Sequence, residues 1–144
     1  MKIDFYILNQ SDKQKSLIFT CQLIEKIYQQ QPIYIHTASE KEAMELDNLL
    51  WIYREDSFLP HMLYDESDPT PPPIQIGFQN KFPSHKKTLI NLHTDIPNFY
   101  QDFDHLIEIV FAEPLMQQLA RERYKKYRDT GHELNTYKEN YDAN

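Results

Sequence analysis

The stretch IDFYIL at residues 3–8 is short, aromatic and β-branched, a pattern typical of a buried strand. Apolar residues then recur at helical spacing, which predicts an amphipathic helix over about residues 11–30. The residues that carry this spacing are Leu17, Cys21, Ile24 and Tyr28. Ser11 and Gln14 are three positions apart and predict a capping box at the beginning of the helix.

A second strand and a second helix follow in the same order. IYIH at residues 33–36 predicts a short strand, and Ser39 with Glu42 predicts the capping box of a helix that ends near Trp51. Alternation of strands and helices is typical of a parallel sheet with helices packed on it. We therefore expect a single α/β domain.

The remaining chain predicts further elements of the same domain. The segment DPTPPP at 68–73 is expected to be an extended surface loop, because proline lacks an amide donor and fixes φ. Strands are predicted at 74–78, 89–92 and 106–111, with a short helical turn around 97–104. A last helix is predicted from Pro114 to about Arg128, closed by Gly131. The domain is thus expected to span 1–132, and 133–144 to be a polar, loosely ordered tail.

Length and charge exclude several classes of protein. With 144 residues, the expected domain count is one. The chain has 15 Lys and Arg against 22 Asp and Glu, and this net charge of −7 argues against a surface that coats nucleic acid throughout. Its apolar runs are far shorter than the roughly 20 residues that cross a membrane, and no secretory signal is expected. The single cysteine, Cys21, favours a reducing compartment, so we expect a cytoplasmic location.

The glycine, histidine and cysteine content argues against cofactor and metal chemistry. Gly77 and Gly131 are the only glycines, whereas a dinucleotide fingerprint or a P-loop needs several close together. The six histidines lack the i, i+4 spacing of a helical metal site, and Cys21 is expected to be buried packing. We therefore expect no cofactor, no metal and no catalytic residue.

The last predicted helix carries a concentration of positive charge. RERYKKYR at 121–128 holds five of the 15 basic residues, and one helix face is predicted to carry several of them in a stripe. That stripe consists of Gln117, Arg121, Tyr124, Lys125 and Arg128. The core-facing residues are expected to be Leu115, Leu119 and Ala120. The stripe is compatible with a solvated end that suits the helix dipole, with recognition of an acidic partner, or with contact to nucleic-acid phosphates.

Two aromatic residues form a second candidate site. Trp51 and Phe58 lie near a proline-bounded turn. They are compatible with core packing, or with an exposed patch that anchors a protein partner.

Two longer strings are QLARERYKKYR at 118–128, and LDNLLW at 46–51 with SFLPH at 57–61. The first resembles the C-terminal helix, and the second an earlier segment, of the chi subunit family of bacterial DNA polymerase III holoenzyme. DFYIL at 4–8 and LINL at 89–92 are similar in the same order. The resemblance implies a three-layer α/β domain with a mostly parallel twisted sheet, helices on both faces and a mononucleotide-binding-like topology without a P-loop. It also implies that the chain binds no nucleotide and has no catalytic activity.

The resemblance further implies two protein-binding surfaces, with DNA contacted only indirectly. The psi subunit, which joins chi to the clamp loader, would bind Trp51 and Phe58, and a helicase-like repair protein would compete for that surface. The acidic C-terminal tail of single-stranded DNA-binding protein, which ends in phenylalanine, would bind the stripe. Its carried-over residues are Arg121, Tyr124 and Lys125. The family pattern has lysine where this chain has Gln117, a change expected to weaken attraction to the tail, although Arg128 is available to compensate.

Three hypotheses follow for function. The first is a replication adaptor that bridges the clamp loader, through psi, to single-stranded DNA-binding protein. The second is a direct nucleic-acid-binding protein that uses the basic helix, and the third is a small α/β enzyme. The negative net charge disfavours the second, and the absence of a nucleophile motif disfavours the third.

Overall fold

The computed structural model describes residues 1–28, 31–54, 56 and 58–139. Its strands are β1 (Lys2–Leu8), β2 (Ile33–His36), β3 (His61–Leu63), β4 (Ile74–Gly77), β5 (Thr88–Asn91), β6 (His105–Val110) and β7 (Glu133–Glu139). Its helices are α1 (Lys13–Tyr28), α2 (Glu40–Ile52) and α3 (Pro114–Asp129), with a 3-10 turn at Tyr100–Asp102. In the described ranges the strands form one seven-stranded sheet in the order β3-β4-β2-β5-β6-β1-β7, and every pair is parallel. The predicted α/β fold is confirmed.

Alternating side chains of the central strands separate two apolar cores. Ile33 and Ile35 of β2 belong to the core that contains the buried residues of α1 and α2. Tyr34, between them, belongs to the other core, together with Tyr127 of α3. Successive strand residues point to opposite faces of the sheet, so the two cores lie on opposite faces. Helices α1 and α2 therefore cover one face, and α3 covers the other. The predicted three-layer arrangement is confirmed.

Of the two predicted capping boxes, the one at Ser39 is present and the one at Ser11 is not. Ser39 caps α2 as expected: its hydroxyl accepts the Glu42 amide at 3.2 Å, and the Glu42 carboxylate accepts the Ala38 amide at 3.2 Å. The Ser11 box is wrong, because α1 begins at Lys13 and its cap is Asp12, whose carboxylate accepts the Lys15 amide at 2.9 Å. A carboxylate at this position also suits the positive end of the helix dipole.

Gly131 ends α3, as predicted. Its φ of 92° lies in the left-handed region, where glycine avoids the strain that a Cβ creates. The Gly131 amide donates to the Arg128 carbonyl at 3.0 Å, and the His132 amide donates to the Tyr127 carbonyl at 3.3 Å. These two bonds are those of a Schellman motif. The turn directs the chain into β7.

The segment expected to be a loose tail contains a strand, so that expectation is wrong for residues 133–139. They form β7, parallel to β1 over its full length. Tyr137 stacks on Tyr6, with ring centroids 5.1 Å apart. The segment is polar because it lies at the edge of the sheet, where much of it meets solvent. The rest of the predicted tail, 140–144, lies outside the described residues.

Candidate functional site

One side of α3 carries a basic stripe, which consists of Gln117, Arg121, Tyr124, Lys125 and Arg128. Arg121, Lys125 and Arg128 are exposed, whereas Gln117 and Tyr124 are half-buried. The buried side of the same helix is formed by Ala120, Arg123 and Tyr127. The structure therefore brings the predicted stripe together along one flank of the helix.

Tyr124 connects the basic stripe to the sheet. Its ring meets the ring of Phe5 edge-on, with centroids 5.3 Å apart and planes inclined by 62°. Tyr124 and Leu134 both pack against the core that contains Phe5. Because Phe5 lies on β1 and Leu134 on β7, the stripe faces the β1–β7 edge of the sheet. An apolar surface thus lies directly beside the cations.

The exposed charge of α3 is predominantly positive. Between residues 121 and 128, the exposed charged residues are Arg121, Lys125, Lys126 and Arg128 against Glu122. Arg128 makes a weak contact with Asp129, where Nε and Oδ1 are 3.5 Å apart and both side chains are 60% exposed. Arg121 and Lys125 form no ion pair with any residue that the structure describes. Their charge is therefore available to a partner.

Arg123 belongs to the basic run in the sequence but contributes nothing to the surface charge. Its side chain is buried and pairs with the fully buried carboxylate of Glu108 through two nitrogen–oxygen contacts of 3.2 Å. Its third nitrogen donates to the Thr94 carbonyl at 2.6 Å. Each nitrogen of the buried guanidinium thus has a partner within the fold.

Glu108 is the centre of a buried polar network that the sequence analysis missed. Besides Arg123, it accepts hydrogen bonds from the Tyr127 hydroxyl at 2.6 Å and the Asn91 amide at 3.1 Å. Burial raises the pKa of Glu108, opposed chiefly by the positive charge of Arg123. Burial and the adjacent Glu108 raise the pKa of Tyr127. The network joins α3 to β5 and β6. The sequence feature that could have predicted it is the single glutamate within the apolar run 106–111.

The expected core side of α3 needs one correction. Ala120 is buried and Leu119 is half-buried, but Leu115 is 58% exposed. Leu115 lies in the first turn and on the helical wheel points away from the side defined by Arg123 and Tyr127. The anchoring of α3 by the Glu108 network fixes which side faces the sheet.

An exposed apolar surface lies at the end of α2. We call it the aromatic patch, and it consists of Trp51, Ile52 and Phe58, whose exposed fractions are 49%, 75% and 76%, respectively. The Trp51 and Phe58 rings are 5.9 Å apart between centroids. Of the two interpretations of these aromatics, the structure therefore excludes core packing in the isolated chain.

His61 holds the indole of Trp51 in place. Its ring lies 4.3 Å from Trp51 between centroids. The imidazole is buried, with Nδ1 2.6 Å from the Leu59 carbonyl oxygen and Nε2 3.0 Å from that of Asp47. Since His61 lies on the edge strand β3, the aromatic patch is at the edge of the sheet opposite β7. A fixed indole loses little side-chain entropy when a partner binds.

A cavity of about 320 Å³ lies at the carboxyl ends of the strands, where nucleotides bind in many α/β sheets. Glu42, Glu45 and Glu113 are part of its lining. Of its cationic lining residues, Arg123 is paired with buried Glu108, whereas Lys13 makes an exposed and therefore weak contact of 3.4 Å with Glu45. A phosphate placed there would meet the three carboxylates as well as Lys13.

Among the residues that the structure covers, no cluster of three or more His, Cys, Asp or Glu could hold a metal ion. None of the described helices is long and apolar enough to span a membrane. Cys21 is buried, as predicted, and burial raises the pKa of its thiol to about 12.

Comparison with known proteins identifies the family. Residues 1–135 match the family model described as DNA polymerase III chi subunit, HolC. The chain belongs to this family. It is 33% identical over 138 residues to DNA polymerase III subunit chi of Pseudomonas aeruginosa, covering 95% of this chain and 96% of that protein. It is 34% identical to the Haemophilus influenzae protein of the same name, covering 92% and 93%, and 38% identical to that of Escherichia coli, covering 72% and 71%.

Membership of the chi family confirms the resemblance found in the sequence. It makes the chain a DNA replication subunit, and a subunit of the polymerase III holoenzyme works with protein partners.

Proposed function

We propose that this chain is a non-catalytic adaptor in DNA replication. It bridges the clamp loader, through psi, to the acidic C-terminal tail of single-stranded DNA-binding protein. The observation that carries the proposal is the exposure of Arg121 and Lys125, without carboxylate partners in the described structure, beside the half-buried ring of Tyr124.

The basic stripe suits an acidic tail that ends in phenylalanine. The guanidinium of Arg121 can bind a carboxylate through two parallel hydrogen bonds, and Lys125 adds a point charge one turn away. Tyr124 and Leu134 supply an adjacent apolar surface for a terminal aromatic ring. Gln117 removes one charge relative to the family pattern, and Arg128 retains positive charge at the other end of the stripe.

The aromatic patch suits psi, and a helicase-like repair protein would compete for it. Exposed Trp51 is of a residue type that is enriched among interface hot spots, and exposed Phe58 is of a type that is enriched in interface cores. The patch lies beside β3 and the basic stripe beside β7, at opposite edges of the sheet. This separation supports binding of both partners at the same time, as an adaptor requires.

Weak individual contacts are sufficient for this role. A micromolar contact corresponds to about −8 kcal/mol. Several tails held close together on one single strand raise the effective concentration of the ligand, so the overall attachment is much tighter than a single contact.

Fluorescence polarisation with the tail peptide tests the proposal. We expect saturable binding that is lost when the terminal phenylalanine is removed and that weakens as salt screens the charges. Arg121→Ala should reduce affinity at least about tenfold, the scale of a charge-assisted hydrogen bond. Lys126→Ala removes the same charge outside the stripe and should change affinity little. Absence of binding at low salt would refute the proposed tail site.

Direct binding of nucleic acid is the second candidate, favoured by the four exposed cations between residues 121 and 128. It predicts affinity for single-stranded DNA that persists without the coating protein and falls steeply with salt. The net charge of −7 opposes it.

A further inference from the structure

We propose that the acidic tail binds as an added strand on the free edge of β7, while its carboxylates contact the basic stripe. This inference rests on the proposed function, because it concerns how the same tail is bound. It adds recognition of the peptide backbone to recognition of its charge, a binding mode called β-augmentation.

The outer edge of β7 is open in the described structure. The Glu133 amide donates to the Met1 carbonyl, and the Glu139 carbonyl accepts the Asn9 amide, each at 3.1 Å. Both end residues of β7 therefore direct backbone groups toward the β1 side. Since residues alternate along a strand, Leu134, Thr136 and Lys138 direct their amide and carbonyl groups outward. Among the described residues, no strand pairs with them.

The same three residues direct their side chains toward the face that carries α3. Leu134 is paired in register with Ile3, and both belong to the apolar surface shared with Tyr124. With a side-chain period of two, Thr136 and Lys138 lie on that face as well. A strand added about 4.8 Å outside β7 would place alternate side chains beside the basic stripe.

Charge complementarity selects an acidic peptide as the occupant. Arg121, Lys125 and Arg128 line the helix side of the edge, and exposed Lys138 adds a cation on the strand itself. The carboxylates of Glu133 and Glu139 lie at the two ends of β7. A second copy of this chain is a poorer occupant, because two chains of net charge −7 repel each other.

A proline substitution tests the backbone contact separately from the charge contact. Thr136→Pro removes an outward amide and leaves the hydrogen bonds between β7 and β1 in place, since proline is tolerated at edges that face solvent. The matched control is Thr136→Ala, which keeps the amide. We expect Thr136→Pro to weaken binding of the tail peptide about tenfold or more, and Thr136→Ala to change it less than about twofold.

Amide hydrogen exchange on the unmodified chain gives a second test that does not depend on the variant folding. Saturation with the tail peptide should slow exchange at Thr136 and Lys138. Peptide binding that depends on Arg121, with unchanged exchange and equal affinity of the proline and alanine variants, would overturn the added strand and leave the proposed function standing. Absence of peptide binding would overturn both. Protection that appears with chain concentration alone would indicate self-pairing and also overturn the inference.

Discussion

The ring of Tyr124 packs edge-on against the ring of Phe5, with centroids 5.3 Å apart. Phe5 is a buried residue of β1, the strand that pairs with both β6 and the edge strand β7. This contact therefore attaches the basic stripe to the sheet next to its β7 edge. Tyr124 is therefore an apolar surface packed against the core, beside the exposed cations Arg121 and Lys125.

Two substitutions of Tyr124 should separate the contribution of its ring to tail binding from that of its hydroxyl group. Tyr124→Phe keeps the packing on Phe5 and should bind the tail peptide within about threefold of the unmodified chain. Tyr124→Ala removes the apolar surface and should weaken binding about tenfold or more, because aromatic contacts contribute beyond their area. Fluorescence polarisation measures both. Equal affinities of the two variants would show that the ring is not part of the site.

The aromatic patch should be needed for psi and not for the tail. Trp51→Ala and Phe58→Ala should each weaken binding of psi by about 2 kcal/mol or more, the range of interface hot spots. Leu115→Ala provides the control, because Leu115 is exposed to 58% but lies on α3. Calorimetric titration with psi gives the comparison. Similar losses for Leu115→Ala would contradict the location of the patch.

The buried network predicts an order of stabilities. Arg123→Met leaves the Glu108 carboxylate buried without its cation and should lower the free energy of unfolding by about 3–5 kcal/mol. Adding Glu108→Gln removes that unpaired charge, so the double variant should be more stable than Arg123→Met alone. Urea unfolding tests the order. A less stable double variant would show that the pair is not the source of the loss.

His36 predicts a dependence of stability on pH. Burial, with a smaller contribution from His93, lowers its pKa from 6.5 to about 4. Between these values the unfolded chain binds a proton that the folded chain does not, so the free energy of unfolding falls as the pH falls. The full difference is about 3 kcal/mol at 1.36 kcal/mol per pH unit. His36→Phe keeps an aromatic ring against Phe99 and should flatten the dependence of the free energy of unfolding on pH between pH 4 and 6.5. If this free energy falls just as steeply with falling pH in the variant, His36 is not the titrating group.

Gly131 should be required for the turn from α3 into β7. A Cβ at this position meets no atom within 4 Å, so the cost of Gly131→Ala comes from its positive φ alone. We expect a loss of about 1–2 kcal/mol in the free energy of unfolding, and a smaller loss for Gly131→Asn. Thermal unfolding compares the variants, and equal stability of all three chains would refute the strained turn.

The sequence predicted those features that depend only on residues close together in the chain. The helical period shows the stripe of α3 directly, because Arg121 and Lys125 are one turn apart wherever the helix packs. The strand β7 was missed because its polar residues become a strand only beside β1, at the other end of the chain. The pairing of Glu108 with Arg123 was missed for a similar reason. Which arginine of the run 121–128 is buried depends on the rotation of α3 against the sheet.

Simultaneous binding of both partners is the central claim. The most direct measurement is a titration of labelled tail peptide into the free chain and into the chain saturated with psi. We predict affinities that agree within about twofold, with a ternary complex of all three components in sedimentation. Release of the peptide as psi is added would show that the two surfaces are not independent, and it would contradict the adaptor role.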